Sequence, residues 1–361
     1  MEKLNLAIIG QGRSGRNIHG AFYKKEENVF FNVAYVVEAD DARRARAAEE
    51  YPGCVTFADY RELFNCKDID LVVNATYSNL HYPITKDLLE HGFNVLCEKP
   101  FCRTRDEAND LIATAKKNNC LLTVFQQTFF APFYDKAREV IASGKLGRIT
   151  QINLRYSGFG RRWDWQTLQW RCAGGVYNTG PHPIGLALGF LDFAEDAKII
   201  YSSLDTIMTS GDGDDCAKLL MSAPGKPLID LEIHANDPYT GYNLKIMGSR
   251  GVFQSDAGSS YKMKYWVDEE NEERPVLPNF LSNDEGMPVY CKDNLKVHEE
   301  EGTYNGSAFN VGTARLYENV YHALRGEGEL FVTPEIAREI IGVAEDMYKA
   351  TPLPRKFYEE N

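Results

Sequence analysis

The 361-residue sequence lacks several features that would place it in a special class of protein. No apolar stretch approaches the roughly 20 residues that a membrane-spanning helix needs. Basic residues are outnumbered, 40 Lys and Arg against 52 Asp and Glu for a net charge of −12, so we predict neither nucleic acid nor membrane as a partner. The first apolar run is as short as a strand and ends in glycines instead of a signal-peptide cleavage site, which predicts a cytoplasmic protein.

Metal-binding and disulfide patterns are also missing. The eight cysteines include no C-x-x-C pair, and the seven histidines form no H-E-x-x-H motif or Cys/His cluster. Several cysteines lie in apolar runs, so reduced and mostly buried thiols are expected. The sequence therefore predicts no metal site.

Short apolar runs alternate with helical patterns in the first part of the chain. This alternation is typical of βαβ units and a parallel sheet. The predicted strands are 4–9, 30–37, 54–57, 71–75, 94–97 and 121–125. The predicted helices are 41–51, 82–91 and 105–118, with a turn or helix at 60–64.

From residue 127 onward the apolar period changes to two, which indicates strands with one apolar and one polar face. The predicted elements are strands around 152–156, 229–233 and 242–246, helices over 133–143, 313–324 and 334–349, and acidic surface loops with one or two strands over 255–306. The predicted fold class is α/β, with an N-terminal Rossmann domain (1–126) and a C-terminal α+β domain (127–361) built on a large, open-faced, mostly antiparallel sheet. The polar face of that sheet could be solvated, cover a cofactor or pack on another subunit.

The first predicted strand leads directly into a G-x-G-x-x-G motif, Gly10-Gln11-Gly12-Arg13-Ser14-Gly15. Such glycines let the backbone approach a pyrophosphate, which meets the N–H groups at a helix start. Glu38 ends the second strand, at about the distance along the chain expected for a carboxylate that binds the adenosine ribose. This favours NAD over NADP, although Arg43 and Arg44 leave NADP open. The alternative is a similar domain that binds another nucleotide or none.

Ligands bind beyond the carboxyl ends of the strands in such sheets, so the segments 76–81, 98–100 and 126–127 are candidates. Lys99 is the first candidate for chemistry, because an ammonium held there can bind a hydroxyl and act as acid or base if its pKa is lowered. The alternative is a surface lysine paired with Glu98. Pro100 makes a cis peptide bond possible.

His182 is the second candidate for chemistry. It lies four residues after Asn178, and on one helix both side chains would share a face. Pro181 and Pro183 complicate this, so either the helix begins near Gly180 or it is distorted. A neutral imidazole could take a proton from an alcohol, or it could be a packed or capping histidine.

Three of the four tryptophans lie close together, among arginines. The cluster comprises Arg161, Arg162, Trp163, Asp164, Trp165, Trp170 and Arg171. Flat apolar faces beside donors are suited to a sugar or polyol, or to a subunit interface.

These segments together resemble the glucose–fructose oxidoreductase / inositol dehydrogenase / rhizopine-catabolism family (Gfo/Idh/MocA). The motifs are GQGRSG at 10–15, Ala75-Thr76 with His81, NVLCEKP ending at Pro100, Gly144-Lys145-Leu146-Gly147, Trp170-Arg171 with Gly174-Gly175 before His182, KIMGSRG at 245–251, and Thr333-Pro334-Glu335.

The resemblance implies NAD(P) and oxidation of sugar or polyol hydroxyls, with Lys99 and His182 at the positions of the family's catalytic lysine and histidine. It also implies a homodimer or homotetramer that assembles through the open sheet. The family usually has Asp where this chain has Asn178, and often Asp where it has Gly185. Because an amide cannot stabilise a protonated histidine as a carboxylate does, we hypothesise that His182 is a weaker base and Lys99 carries more of the proton transfer.

The predicted site therefore has three groups of residues. The catalytic residues are Lys99, His182 and Asn178. The cofactor contacts are Gly10, Gln11, Gly12, Arg13, Ser14, Gly15, Glu38, Thr76, Tyr77, His81, Glu98, Lys99 and Gln127. The substrate contacts are Tyr156, Arg162, Trp163, Trp165, Trp170 and Arg171.

The leading interpretation is an NAD-dependent dehydrogenase for a sugar or polyol. The alternatives are an NAD-using glycosidase of the same fold and a non-catalytic sensor of sugars or nucleotides.

Overall fold

The computed structural model describes residues 2–256 and 259–359, and within these ranges the first part of the chain forms one six-stranded parallel sheet. Its elements are β1 (Leu4–Ile9), α1 (Gly20–Tyr23), β2 (Phe31–Val37), α2 (Asp41–Glu50), β3 (Val55–Phe57), β4 (Leu71–Asn74), α3 (His81–Glu90), β5 (Val95–Cys97), α4 (Arg105–Lys117) and β6 (Leu122–Val124). The spatial order β3-β2-β1-β4-β5-β6 is that of a doubly wound dinucleotide-binding sheet. The prediction of a Rossmann domain is confirmed.

The apolar composition of the central strands explains this arrangement. Every residue of β4 and β5 is buried, as are Leu6–Ile9 of β1. Strands without a polar face need cover on both sides, which helices in right-handed crossovers supply. The carboxyl ends of these strands therefore lie along one edge of the sheet.

The second part of the chain forms an eight-stranded sheet within the described residues. Its elements are α5 (Pro132–Ala142), β7 (Ile149–Ser157), α6 (Gly175–Asn178), α7 (Pro181–Phe190), β8 (Lys198–Asp205), β9 (Cys216–Ser222), β10 (Leu228–His234), β11 (Leu244–Gly248), β12 (Gly251–Ser255), β13 (Ser260–Trp266), β14 (Leu281–Ser282), β15 (Pro288–Val289), β16 (Val297–Thr303), α8 (Thr313–Leu324) and α9 (Pro334–Ala350). The sheet order is β16-β13-β12-β11-β7-β10-β9-β8, antiparallel except where β7 meets β10, and β14 pairs with β15 apart from it.

One face of this large sheet is covered and the other is open. Helices α5, α6, α7 and α9 pack on the covered face. The open face carries ion pairs between strands, in which Arg155 and Lys218 both contact Asp230 and Glu232 at 2.5–2.9 Å. The predicted open-faced, mostly antiparallel sheet is confirmed.

The acidic stretch over 255–306, predicted as surface loops with one or two strands, contributes the strands β13 and β16 to this sheet. Glu299 and Glu301 of β16 lie opposite Lys264 and Lys262 of β13, so the acidic run is one face of a strand neutralised by its neighbour. Residues 257 and 258 of that stretch lie outside the described residues. Strands β8, β9 and β12 were not predicted, since mixed polar and small residues weaken their alternation.

Asn178 and His182 do not lie on one helix, which decides between the two alternatives left open for this segment. Asn178 ends α6, and His182 lies in the first turn of α7, whose first residue is Pro181. A proline is tolerated at this position because its missing N–H would be unpaired in any case. The alternative that the helix begins near Gly180 is the correct one.

The closing helices return to the first sheet. Tyr317 and Tyr321 of α8 are buried in a cluster with Leu6 and Ile8 of β1, and α9 packs on α4. The division into 1–126 and 127–361 stays a prediction, since helices from the second part complete the core of the first. Among the helices of the described residues, none is both long enough and apolar enough to span a bilayer.

Candidate active site

A cavity of about 1060 Å³ lies along the carboxyl ends of β1, β2, β4 and β5. The predicted residues that line it are Gly10, Gly12, Arg13, Ser14, Glu38, Thr76, Tyr77, His81, Glu98, Lys99, Arg162 and Trp165. The predicted residues outside this lining are Gln11, Gly15, Gln127, Tyr156, Trp163, Trp170, Arg171, Asn178 and His182. The loop 162–166, from the second part of the chain, closes one side of the cavity.

The three glycines of the motif have different roles. Gly10 has a φ of +95°, and a Cβ there would lie 2.6 Å from the Ala75 carbonyl oxygen. A Cβ on Gly15 would lie 1.9 Å from the Gly10 carbonyl oxygen, so Gly15 permits close packing below the cavity. A Cβ on Gly12 would meet nothing within 4 Å, so its backbone faces open space. The helical turn that follows, Arg13–His19, begins at this point.

Glu38 is held at the rim of the cavity by two backbone donors. The Gln11 N–H donates to Oε2 at 2.7 Å, and the Asp40 N–H donates to Oε1 at 3.1 Å. Of the two arginines that left NADP open, Arg43 lines the cavity, whereas Arg44 donates to the Glu38 carbonyl oxygen and pairs with Asp41. Gln11 therefore contributes through its backbone, since its side chain is buried.

Lys99 extends from the end of β5 toward the second part of the chain. Its peptide bond to Pro100 is cis, and its Nζ donates to the carbonyl oxygen of Asn178 at 2.9 Å. Burial lowers the pKa of Lys99; Glu98 opposes this shift, and Arg13 and Arg162 add to it. A lysine in these surroundings releases its proton more readily than one in water.

The contact with Lys99 comes from the main chain of Asn178, whose side chain the sequence placed in one cleft with His182. His182 lies close enough for the charge of Lys99 to add to the effect of burial, and together they lower the pKa of His182 to about 3. Its Nδ1 lies 3.4 Å from the Thr128 hydroxyl oxygen. His182 is therefore a neutral imidazole at physiological pH.

Gln126 occupies the space that a side chain at position 185 would need. Its Nε2 donates to the Pro181 carbonyl oxygen, and a Cβ on Gly185 would lie 2.9 Å from the same nitrogen. Where the family often has an acid, this chain therefore has Gly185 with the neutral side-chain amide of Gln126 next to it. Gln127 is buried, with its carbonyl oxygen close to Gly312.

The aromatic and arginine cluster divides between two locations. Trp165 packs edge-on against Tyr77 with ring centroids 5.0 Å apart, and the Arg171 guanidinium lies 4.5 Å from the Tyr77 ring and 3.9 Å from the Trp170 ring. Trp163 is 79% exposed. Tyr156 packs against the core of the second part and does not line the cavity.

His81 holds two loops of the site together. Its Nδ1 donates to the Pro100 carbonyl oxygen at 2.6 Å, and its Nε2 lies 3.3 Å from the Thr76 carbonyl oxygen. Burial lowers the pKa of His81. Its ring therefore supports the segment that carries Lys99.

Sequence reasoning missed the acidic loop 210–215, which binds the backbone at Gln169 and Val176. The Asp212 carboxylate accepts from the Gln169 N–H at 2.9 Å, while the Asp214 carboxylate accepts from the Val176 N–H at 2.9 Å and from the Tyr348 hydroxyl at 2.6 Å. Burial raises the pKa of Asp214 to about 7. The available signal was the run Gly211 to Asp215 between two strands.

Comparisons with known proteins agree with this architecture. A model of the oxidoreductase family with an NAD-binding Rossmann fold matches residues 4–126, and a model of the GFO/IDH/MocA C-terminal domain matches residues 134–254. The inositol 2-dehydrogenase 2 of Saccharopolyspora erythraea is 26% identical over 286 residues, which cover 77% of this chain and 79% of the relative.

Two further proteins are similar over most of their length. An uncharacterized oxidoreductase of Schizosaccharomyces pombe is 28% identical over 260 residues, 70% of each chain. The crystal structure of GenD2 from gentamicin A biosynthesis, in complex with NAD, superposes with a TM-score of 0.76 at 18% identity and covers 97% of this chain and 94% of that one. This last likeness concerns the fold alone.

Proposed function

The chain belongs to the Gfo/Idh/MocA oxidoreductase family, whose N-terminal domain is an NAD-binding Rossmann domain, and from this premise we propose that it is a dehydrogenase that oxidises a hydroxyl of a sugar or polyol. The observation that carries the proposal is the placement of Lys99, which lines the cavity and whose Nζ donates to the Asn178 main-chain carbonyl oxygen. A lysine with a lowered pKa is suited to moving a proton.

The residues of the cavity fit a dinucleotide. The open space over Gly12 admits a pyrophosphate next to the backbone, and Arg13 lines the same region. The Glu38 carboxylate, held by two N–H groups, is oriented to accept from ribose hydroxyls and would repel a 2′-phosphate. When bound, the nicotinamide supplies the hydride acceptor.

Lys99 and His182 would divide the work on the substrate. Neutral Lys99 would accept the hydroxyl proton at Nζ, and the lowering of its pKa by burial makes the neutral form easier to reach. His182, with its pKa near 3, is too weak a base to hold that proton and instead accepts a hydrogen bond that orients the hydroxyl. The proposal thus keeps the hypothesis that Lys99 carries most of the proton transfer.

Sugar or polyol as the substrate class is supported by the aromatic residues of the loops after β7 and β10. Trp163, Phe159 and Tyr239 are largely exposed, and Phe159 is bridged to Asn236, which brings the two loops together. Such faces are suited to the apolar side of a sugar ring. Tyr156, Trp170 and Arg171 are proposed to support these loops without contacting the substrate.

The test is NADH formation with a panel of inositols, aldoses and sugar derivatives, measured for the native protein and for Lys99→Met. We expect turnover with at least one compound and its loss in the variant, with NAD affinity retained. Release of a leaving group without net NADH would indicate the glycosidase alternative. Tight NAD binding without turnover on any compound would indicate a sensor and would refute the dehydrogenase.

We also propose that the chain assembles through the large sheet. Ile200 and Tyr201 on edge strand β8 and Val297 on edge strand β16 are exposed apolar side chains. A solution mass that is a multiple of 40.8 kDa, reduced toward one chain by Tyr201→Asp, would support this assembly. A native mass of one chain would refute it.

A further inference from the structure

We propose that His19 and Tyr317 are positioning residues for Lys99: they hold the Glu98 carboxylate in one orientation, and Glu98 in turn sets the protonation state of Lys99. The inference rests on the proposed function only in treating Lys99 as the proton carrier. It assigns a purpose to buried polar groups that the proposed mechanism leaves unused.

The four residues are joined by consecutive hydrogen bonds. The backbone N–H of Lys99 donates to Glu98 Oε2 at 2.9 Å, and His19 Nε2 lies 3.1 Å from Glu98 Oε1. On the other side of the ring, His19 Nδ1 lies 2.7 Å from the Tyr317 hydroxyl oxygen. His19, Glu98 and Tyr317 are all buried.

These contacts select one tautomer of His19. An ionised carboxylate can only accept, so Nε2 must carry the proton that is donated to Glu98. In the neutral ring, Nδ1 then accepts from the Tyr317 hydroxyl. Removing that hydroxyl takes away the group that favours this tautomer, and with it the donor that faces Glu98.

The surrounding aromatic packing fixes the chain of contacts in place. His19 packs edge-on against Phe125 at 4.4 Å between centroids, and the Tyr317 ring stacks on Phe22 at 4.9 Å. Tyr317 belongs to α8, which comes from the second part of the chain, while His19 follows the glycine motif. The contacts therefore connect the cofactor loop, the Lys99 segment and α8.

The charges around the pair explain why the orientation of Glu98 matters. Burial alone would neutralise the carboxyl, but the hydrogen bond with His19 foremost, with the charge of Lys99 beside it, lowers the pKa of Glu98 to about 2. The charge of Glu98 raises the pKa of Lys99, whereas the cations Arg13 and Arg162 lower it. The charge of Lys99 in turn lowers the pKa of His182. Glu98 is the anion that keeps the pKa of Lys99 from falling further.

The test measures the titration of Lys99 directly, without a substrate. Trace acylation with acetic anhydride at a series of pH values, read by peptide mass spectrometry, gives the midpoint for Lys99 in the native protein and in each variant. The variants are Glu98→Gln, Tyr317→Phe and the matched control Tyr321→Phe. Tyr321 is buried on the same helix, and its hydroxyl donates to the Glu2 carbonyl oxygen, away from Glu98.

We expect Glu98→Gln to lower the Lys99 midpoint by about one to three pH units, the usual effect of a neighbouring opposite charge. Tyr317→Phe should lower it in the same direction by less, and Tyr321→Phe should leave it unchanged. In a Glu98→Gln background, Tyr317→Phe should add no further shift, because no carboxylate remains to be oriented.

A Lys99 midpoint that is equal in Tyr317→Phe and Tyr321→Phe would overturn the inference and leave His19 and Tyr317 a structural role. If Tyr317→Phe does not fold, His19→Gln replaces it with the same expected direction. Shifted midpoints in a protein without turnover would support the positioning role while refuting the dehydrogenase. Where turnover is found, the pH profile of kcat should move with the midpoint while NAD affinity stays constant.

Discussion

The buried carboxyl group of Asp214 should make the stability of the protein fall as the pH rises. Burial moves the pKa of Asp214 from 3.8 to about 7 in the folded chain. Below the pKa of Asp214 in the unfolded chain, this carboxyl group is protonated in both the folded and the unfolded state, and the stabilisation is fully present. As the pH rises toward the folded value, the unfolded chain releases its proton first, so the folded state loses stability. A shift of about three units corresponds to about 4 kcal/mol, lost between about pH 4 and pH 7.

Urea denaturation of the native protein and of Asp214→Asn across this range measures the effect. The variant loses an acceptor for the Val176 N–H or the Tyr348 hydroxyl, which costs stability by a similar amount at every pH. Its free energy of unfolding relative to the native protein should nevertheless improve by several kcal/mol from pH 4 to pH 7, since other titrating groups cancel in the difference. Parallel curves for the two proteins would refute the reasoning.

Tyr348→Phe is a second test, because this variant keeps the titrating carboxyl group that Asp214→Asn removes. The Tyr348 hydroxyl donates to Asp214 Oδ1 and favours the charged carboxylate, so removing it should raise the pKa of Asp214 in the folded chain and extend the loss of stability to higher pH. Asp214 also holds the start of α6, and with it the Asn178 carbonyl that Lys99 contacts.

Three further predictions concern the site. Gly15→Ala should prevent folding or lower the free energy of unfolding by several kcal/mol, measured by thermal denaturation. Gly12→Ala should keep the native melting temperature and bind NAD about tenfold or more weakly, measured by titration. Equal melting temperatures of the two variants would contradict this reasoning. Glu38→Gln should narrow the preference for NAD over NADP, measured as a ratio of Kd values, and an unchanged ratio would count against a ribose contact. Asn178→Asp should shift the acidic limb of the pH–rate profile upward and Asn178→Ala should not, since Lys99 contacts only the backbone; no shift in either would refute the hypothesis about His182.

The sequence predicted the first domain well because its signals are local. A buried parallel strand is a short apolar run, and the glycine motif, Glu38 and Lys99 each follow such a run directly. Parallel strands end at one edge of the sheet, so these residues meet without any knowledge of the rest of the fold. The observed cavity indeed includes all three segments.

The second domain was harder to predict because its strands depend on their partners. The acidic run in β16 lacks the apolar face from which a strand is predicted, and it forms a strand because lysines of β13 lie opposite its glutamates. Likewise, a four-residue spacing suggested one helix for Asn178 and His182, and the break between α6 and α7 is set by Pro181. The sequence of a single strand does not predict which strand it pairs with across a sheet.

By itself the sequence determined the fold class, the family, the position of the cofactor cleft and the position of Lys99 beside it, because these follow from local patterns at strand ends. Only the tertiary structure decided what surrounds Lys99: the Asn178 carbonyl, the cations Arg13 and Arg162, and the His19–Glu98 pair completed by Tyr317. These groups come from positions up to 298 residues apart. Their effect on a proton depends on distance and burial, which folding creates and no local pattern encodes.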